Sequence, residues 1–240
     1  MNELDFIKSH LHETNDLLPI TDSIYGIKKN VILQKKDVVK KTRTLIVISG
    51  LSGSGKDSIA DRISGTDLDI VRIKTCTTRL RRPEESEDND PYIRISVQEF
   101  KTMKERGQLL ESVEYAGNNY CTSLNSIVNV LESGYIPLLR VDPIGANFFI
   151  DSWKNELNIF EDTTLIYFFI ISKNFDDLRK RLIIRDKNPE LVQKRIEQSM
   201  KDIDHIDEAQ YIVVNKYGKI DKTVKEVEKI IRENLLLINQ

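Results

Sequence analysis

The stretch TLIVISGLSGSGKDS, residues 44–58, decides the fold. Thr44 to Ser49 is a continuous apolar run, the pattern of a parallel strand buried on both faces. Gly50, Gly53 and Gly55 then precede Lys56, and DSIADRI after the lysine places Ile59, Ala60 and Ile63 on one side of a helix. Strand, glycine loop and helix in that order make a phosphate cradle, because glycines let backbone N–H groups curl around an anion at a helix N-terminus. Gly50, Ser52, Gly53, Ser54, Gly55, Lys56, Asp57 and Ser58 are therefore read as a nucleoside triphosphate site, with Lys56 reaching the outer phosphates. The strict motif has Ser or Thr after the lysine to hold Mg²⁺; here Asp57 stands there and Ser58 follows, so both are candidate metal groups.

Composition narrows the class. A chain of 240 residues can bury a full core, and 40% hydrophobic with 31% charged residues suits a globular protein. A net charge of −2 gives no global reason to expect nucleic acid or a membrane surface as partner. No apolar stretch approaches a membrane span and the N-terminus lacks a signal pattern, so a cytoplasmic location is expected. Cys76 and Cys121 are too few for a disulfide framework or a cysteine metal site, and the three histidines lie far from the glycine loop in sequence. A zinc site or histidine-based nucleophilic catalysis is not expected.

Residues 1–43 read as an N-terminal extension, with a weak amphipathic pattern and a basic stretch from Lys28 to Arg43. Without interleaved aromatic residues this reads as a solvated arm or an added helix rather than a nucleic-acid patch. From Thr44 onward strands and helices alternate. Apolar runs at 68–73, 136–142, 164–171 and 211–215 read as strands, and 176–185, a stretch to about 209 and 221–237 read as helices. Ser96 and Glu99 have capping-box spacing ahead of a helix ended by Gly107, and a turn at 116–119 joins a hairpin. This alternation predicts an α/β fold: a parallel sheet covered by helices on both faces.

Between the second strand and the Ser96 helix lies TTRLRRPEE, residues 77–85, an arginine density suited to holding a phosphate. Together with the phosphate loop, Tyr92 and the following SVQEF, LLESVEYAGNNYCTS and RVDPIGA, it falls in the order and spacing of the guanylate kinase family, which the chain resembles from about Thr44 to its C-terminus. The resemblance implies a three-layer P-loop kinase with a small acceptor-binding part at about 75–122 and a mobile lid at about 182–196. It implies γ-phosphoryl transfer from ATP, with Mg²⁺, to a nucleoside monophosphate, first GMP or dGMP, in a monomer or homodimer that takes neither nucleic acid nor a membrane as partner.

By position, Arg79, Arg82, Tyr92 and Tyr120 resemble the residues that grip the acceptor's phosphate, while the role of Glu85 is left open by one extra residue before Tyr92. Glu111 resembles the carboxylate that reads guanine's N–H donors, and Thr75 and Thr122 the small hydroxyls near the base. Asp142 fits either the orientation of Mg²⁺-bound water or the capping of a following helix. Arg181, Arg185 and Arg195 resemble the lid cations that stabilise a transferring phosphoryl group. Asn215 resembles the residue contacting adenine.

The chain also departs from the family's pattern. The ending GKDS is shared in appearance with ribose 1,5-bisphosphate phosphokinases, which keeps another phosphorylated acceptor open. Arg140 stands where the family carries a second carboxylate facing the base; it can pair with Glu111 and cancel that acceptor, or meet an oxygen of the ligand. A non-catalytic guanylate-kinase-like interaction module is the alternative from another class, set against the retention of Gly50, Gly55 and Lys56.

Overall fold

A computed structural model describes residues 31–33, 43–81, 90, 92–115, 117–155 and 162–238. The first strand, β1 (Val31–Leu33), precedes β2 (Arg43–Gly50), and the glycine loop leads from β2 into α1 (Lys56–Ser64). Then come β3 (Ile70–Ile73), β4 (Thr75–Thr77), β5 (Tyr92–Arg94), α2 (Val97–Glu105), β6 (Leu109–Tyr115), β7 (Asn118–Ser123) and α3 (Leu124–Glu132). The second half holds β8 (Ile136–Arg140), α4 (Pro143–Asn155), β9 (Thr163–Ser172), α5 (Phe175–Asp186) and α6 (Pro189–Asp202). It closes with a 3₁₀ turn (Ile203–Glu208), β10 (Tyr211–Asn215) and α7 (Ile220–Ile238).

The large sheet has the order β1-β10-β9-β2-β8-β3, parallel except for β1. Its apolar runs supply both faces because alternate side chains point opposite ways. Leu45, Val47, Leu139, Phe169 and Ile212 pack with α4, α5 and α6 through Phe149, Leu178 and Ile196. Ile46, Ile48, Leu138, Phe168 and Val213 pack on the other side with α1 and α7 through Ile59, Ile63, Val227 and Ile231. Helices on both faces make the three layers expected. The chain passes from β2 to β3 and returns with β8 between them, while β9 and β10 extend the opposite side of β2. The loop after β2 thus lies at the switch point of the sheet, where open α/β sheets bind ligands.

Two local features differ from the sequence reading. The extension is neither arm nor helix at Val31–Leu33: it is an antiparallel edge strand on β10. Within the charged stretch after β3, Thr75–Thr77 and Tyr92–Arg94 form short parallel strands of a second sheet, ordered β5-β4-β7-β6. Three-residue strands have no period to detect; β4 forms by pairing with β7, and β5 by pairing with β4. Helix α4 begins directly after Asp142, the following helix that one of the two readings of Asp142 expected. The capping box is as expected: Glu99 N donates to Ser96 Oγ (3.0 Å) and Ser96 N to Glu99 Oε2 (2.7 Å). Among the described residues no helix is long and apolar enough to cross a membrane.

Gly50 ties the loop to the sheet. It has φ 138°, and a Cβ there would stand 2.1 Å from the Ile170 carbonyl oxygen of β9, the oxygen that accepts from Leu51 N at 3.0 Å. Gly50→Ala should therefore destabilise the fold by about 2 kcal/mol or more, read as a lowered urea midpoint, because backbone rather than a flexible side chain must yield.

Candidate active site

The phosphate loop is shaped from beneath. Gly55, at φ 94°, is the N-cap of α1, and no side chain caps the helix. The first amides of α1 are thus left for an anion. Lys56 folds back so that Nζ donates to Leu51 O at 3.2 Å. Burial lowers its pKa to about 8, assisted by the like charge of Arg140 and opposed by Asp57, Asp202 and Asp142. A cation held against its preference for water is poised to gain a phosphate partner.

Two expected ligand contacts prove to be struts. Asn215 is 1% exposed; its Nδ2 donates to Ser54 O at 2.7 Å and its Oδ1 accepts from Thr223 Oγ1 at 3.2 Å. With both ends engaged, its side chain holds the loop. Arg181 donates to Ser54 O (2.8 Å) and Asn215 O (2.7 Å), and lies over the Tyr217 ring. It therefore braces the loop through the Ser54 carbonyl.

Of the other two arginines expected in the lid, Arg195 meets the loop and Arg185 meets Asp186. Asp186, at the end of α5, accepts from Arg185 Nε (3.0 Å) and Nη2 (3.1 Å), and forms an ion pair with Arg195 Nε at 3.0 Å. Arg195 Nη1 reaches Ser52 Oγ at 3.4 Å. Asp186 is a positioning group the sequence reading missed; only the turn between α5 and α6, with Lys187 in a left-handed conformation, brings its carboxylate to both arginines.

On the second sheet the acceptor residues assemble. Tyr92 and Tyr120 meet edge-to-face with centroids 5.7 Å apart, and Arg79 lies over the Tyr92 ring at 5.6 Å. Arg94, also missed, covers the Tyr92 ring at 5.3 Å, donates to Arg79 O at 2.8 Å and pairs with Asp90. Hydrogen bonds from Arg94, aided by Arg81 and Tyr92 N, hold the Asp90 carboxyl well below the usual range against the effect of burial. Arg82 and Glu85 lie outside the described residues.

Glu111 is 5% exposed and accepts from Thr122 Oγ1 at 2.7 Å. Burial raises its pKa to about 7, with the Thr122 hydrogen bond opposing and Asp142 adding to the rise. No arginine or lysine among the described residues pairs with it, so Arg140 does not cancel this acceptor. Thr75, at the start of β4, pairs in register with Tyr92. At the opening of α4, Asp142 Oδ1 accepts from Gly145 N at 2.8 Å, and a Cβ on Gly145 would sit 3.5 Å from Glu111 Oε2. Asp142 caps α4, and the glycine keeps the space beside both carboxylates open.

Asp57 is committed elsewhere. Its Oδ1 lies 2.7 Å from Arg140 Nε and 3.1 Å from Arg72 Nη2. Burial would raise its pKa, but Arg140, Lys56 and Arg72 outweigh that and hold it below the usual value. Asp57 Oδ1 is thus shared by two guanidiniums, an engagement that competes with a metal for this carboxylate. Ser58 is exposed beside the loop, and Asp142 keeps its second oxygen; a hydroxyl and one carboxylate are the kind of set that holds Mg²⁺ with substrate phosphates and water.

The family model described as guanylate kinase matches residues 42–234. The guanylate kinase of Zymomonas mobilis is 34% identical over 188 residues, 78% of this chain and 82% of that protein. The guanylate kinase of Oceanobacillus iheyensis is 28% identical over 200 residues, 83% of this chain and 91% of that protein. The crystal structure of guanylate kinase from Anaplasma phagocytophilum shares the fold, with a TM-score of 0.60 at 23% identity over 82% of this chain and 88% of that one. A match that runs from the strand before the glycine loop into the last helix, over a site built at the sheet's switch point, places the chain in the guanylate kinase family, as a nucleoside monophosphate kinase.

Proposed function

We propose that the protein transfers the γ-phosphoryl group of ATP to the phosphate of GMP or dGMP, within a unit spanning residues 44–240. The observation that carries the choice of base is Glu111: a buried carboxylate with no cationic partner among the described residues, held by Thr122, beside the gap that Gly145 leaves open. An ionised carboxylate offers acceptors to the N1–H and 2-amino donors of guanine. The phenols of Tyr92 and Tyr120 with Arg79 supply donors and charge for the acceptor phosphate.

On the donor side the open amides of α1 and Lys56 cradle the triphosphate, and Arg195, already at Ser52, brings charge to the transferring group. The transfer is an in-line displacement: the acceptor phosphate oxygen forms its bond to the γ-phosphorus as the bond to ADP breaks. Mg²⁺, when bound through Ser58 and Asp142, would neutralise charge on the β- and γ-phosphate oxygens. The loop lysine and cradle also count against a purely protein-binding module, which has no use for them.

A coupled ADP-release assay tests this with GMP, dGMP, AMP, CMP, UMP and ribose 1,5-bisphosphate as acceptors. GMP and dGMP are expected to exceed AMP by about 100-fold or more in kcat/KM, because adenine leaves the Glu111 acceptor facing a ring nitrogen acceptor. Preference for ribose 1,5-bisphosphate would overturn the choice of acceptor, and no ATP binding with or without Mg²⁺ would favour the module.

A further inference from the structure

Two positions where the chain departs from its family's pattern, Asp57 and Arg140, are far apart in sequence and joined in the fold. Arg140 ends β8 and pairs in register with Ile48, two residues before Gly50. Its Nε lies 2.7 Å from Asp57 Oδ1, and Asp57 and then Tyr92 favour its charged form against the effect of burial. Its charge acts on Lys56. Asp57 is held on its other side by Arg72, which also pairs with Asp61.

The guanidinium is thus held beside the start of α1, with Tyr92 acting on it, and it does not pair with Glu111. It is held by charge more than by directed bonds: Nε is buried, and despite the short distance to Asp57 it has no aligned hydrogen-bond acceptor among the described residues. A buried donor lacking an aligned acceptor is a costly state that an incoming oxyanion would relieve.

Resting on the function proposed above, we propose that Arg140 is a phosphate-binding residue at the junction of the two substrates, gripping the acceptor's phosphate beside Tyr92. Asp57 is the positioning residue that keeps it there. The cation at the end of β8 thus serves the phosphate, and base recognition on this wall is left to Glu111 and Thr122. Asp57 acts as counter-ion to Arg140 and Arg72, while Ser58 and Asp142 remain for the metal.

The test is a cycle of Arg140→Gln, Asp57→Asn and the double variant, with Arg140→Lys as a charge-retaining control and circular dichroism to verify folding. GMP and guanosine binding are measured by calorimetry, and KM and kcat by ADP release. Arg140→Gln should weaken GMP binding about 10- to 100-fold and guanosine by less than about 3-fold, with KM for GMP rising more than KM for ATP. Arg140→Lys should retain part of the GMP affinity. Asp57→Asn should raise KM for GMP about 10-fold without shifting the Mg²⁺ concentration for half-maximal rate, and the double variant should be no worse than Arg140→Gln.

Equal losses for GMP and guanosine, strictly additive effects, or a shifted Mg²⁺ requirement in Asp57→Asn would overturn the assignment while the parent's GMP kinase activity stands. Absence of GMP binding by the unmodified chain would overturn both it and the functional reading.

Discussion

Lys56→Met is expected to reduce the rate of ADP formation with GMP by about 1,000-fold or more at saturating substrates, the scale lost when a fixed charge on a transferring phosphoryl group is removed. The same substitution should not destabilise the ligand-free fold at pH 7. Lys56 is held with its pKa lowered to about 8, chiefly by burial and then by Arg140. Between that value and the ordinary lysine value the unfolded chain binds the extra proton, so stability rises with pH across the window and the penalty is fully present below it. Methionine removes the charge that carries the penalty while filling a similar volume. Stopped-time ADP assays together with thermal melts at pH 7 and pH 9 check both halves. A variant retaining more than a tenth of parental activity would show that the loop lysine does not stabilise transferring charge.

Glu111→Gln is expected to lower kcat/KM for GMP by about 10- to 100-fold, because one carboxylate oxygen facing two N–H donors becomes an amide N–H facing a donor. In the parent enzyme kcat/KM should fall as pH drops through about 7, where burial places the Glu111 pKa, since the protonated acid no longer accepts both donors. The variant should lose that acid limb. Stability should move the other way. A carboxyl whose folded pKa is raised contributes stability below its unfolded value and loses it as pH rises to the folded value, so ionisation between about 4.5 and about 7 destabilises the ligand-free protein. At pH 8 the glutamine variant should accordingly be more stable, by up to about 3 kcal/mol. Activity–pH profiles and urea melts at pH 5 and pH 8 measure these effects, and an unchanged acid limb in Glu111→Gln would remove Glu111 from base recognition.

Lys56 and Glu111 share one physical logic. Each is a charge withdrawn from water without a full complement of partners, Lys56 beside Arg140 and Glu111 beside Asp142. Each therefore costs the ligand-free fold and gains when a substrate of opposite charge or complementary donors arrives. Asp57 and Arg140 show the contrasting arrangement, in which two charges offset one another within the chain.

Contiguous sequence determined the parts whose causes are local. A continuous apolar run, three glycines, a lysine and a helical pattern within residues 44–63 specify a buried strand, a cradle and an anchored helix. Ser96 with Glu99 specifies a helix start through hydrogen bonds spanning one turn. Tertiary structure decided whatever depends on which strand ends converge. The second sheet exists because β7 pairs with Cys76 and Thr77 of β4, and Val31–Leu33 is a strand because β10 offers it an edge. Asn215 and Arg181 became struts because Ser54's carbonyl needed donors where it is buried. Arg140 met Asp57 rather than Glu111 because the β8 end and the start of α1 lie side by side at the switch point. Charge pairing is chosen by three-dimensional proximity and desolvation, and neither quantity is written in the order of residues along a chain.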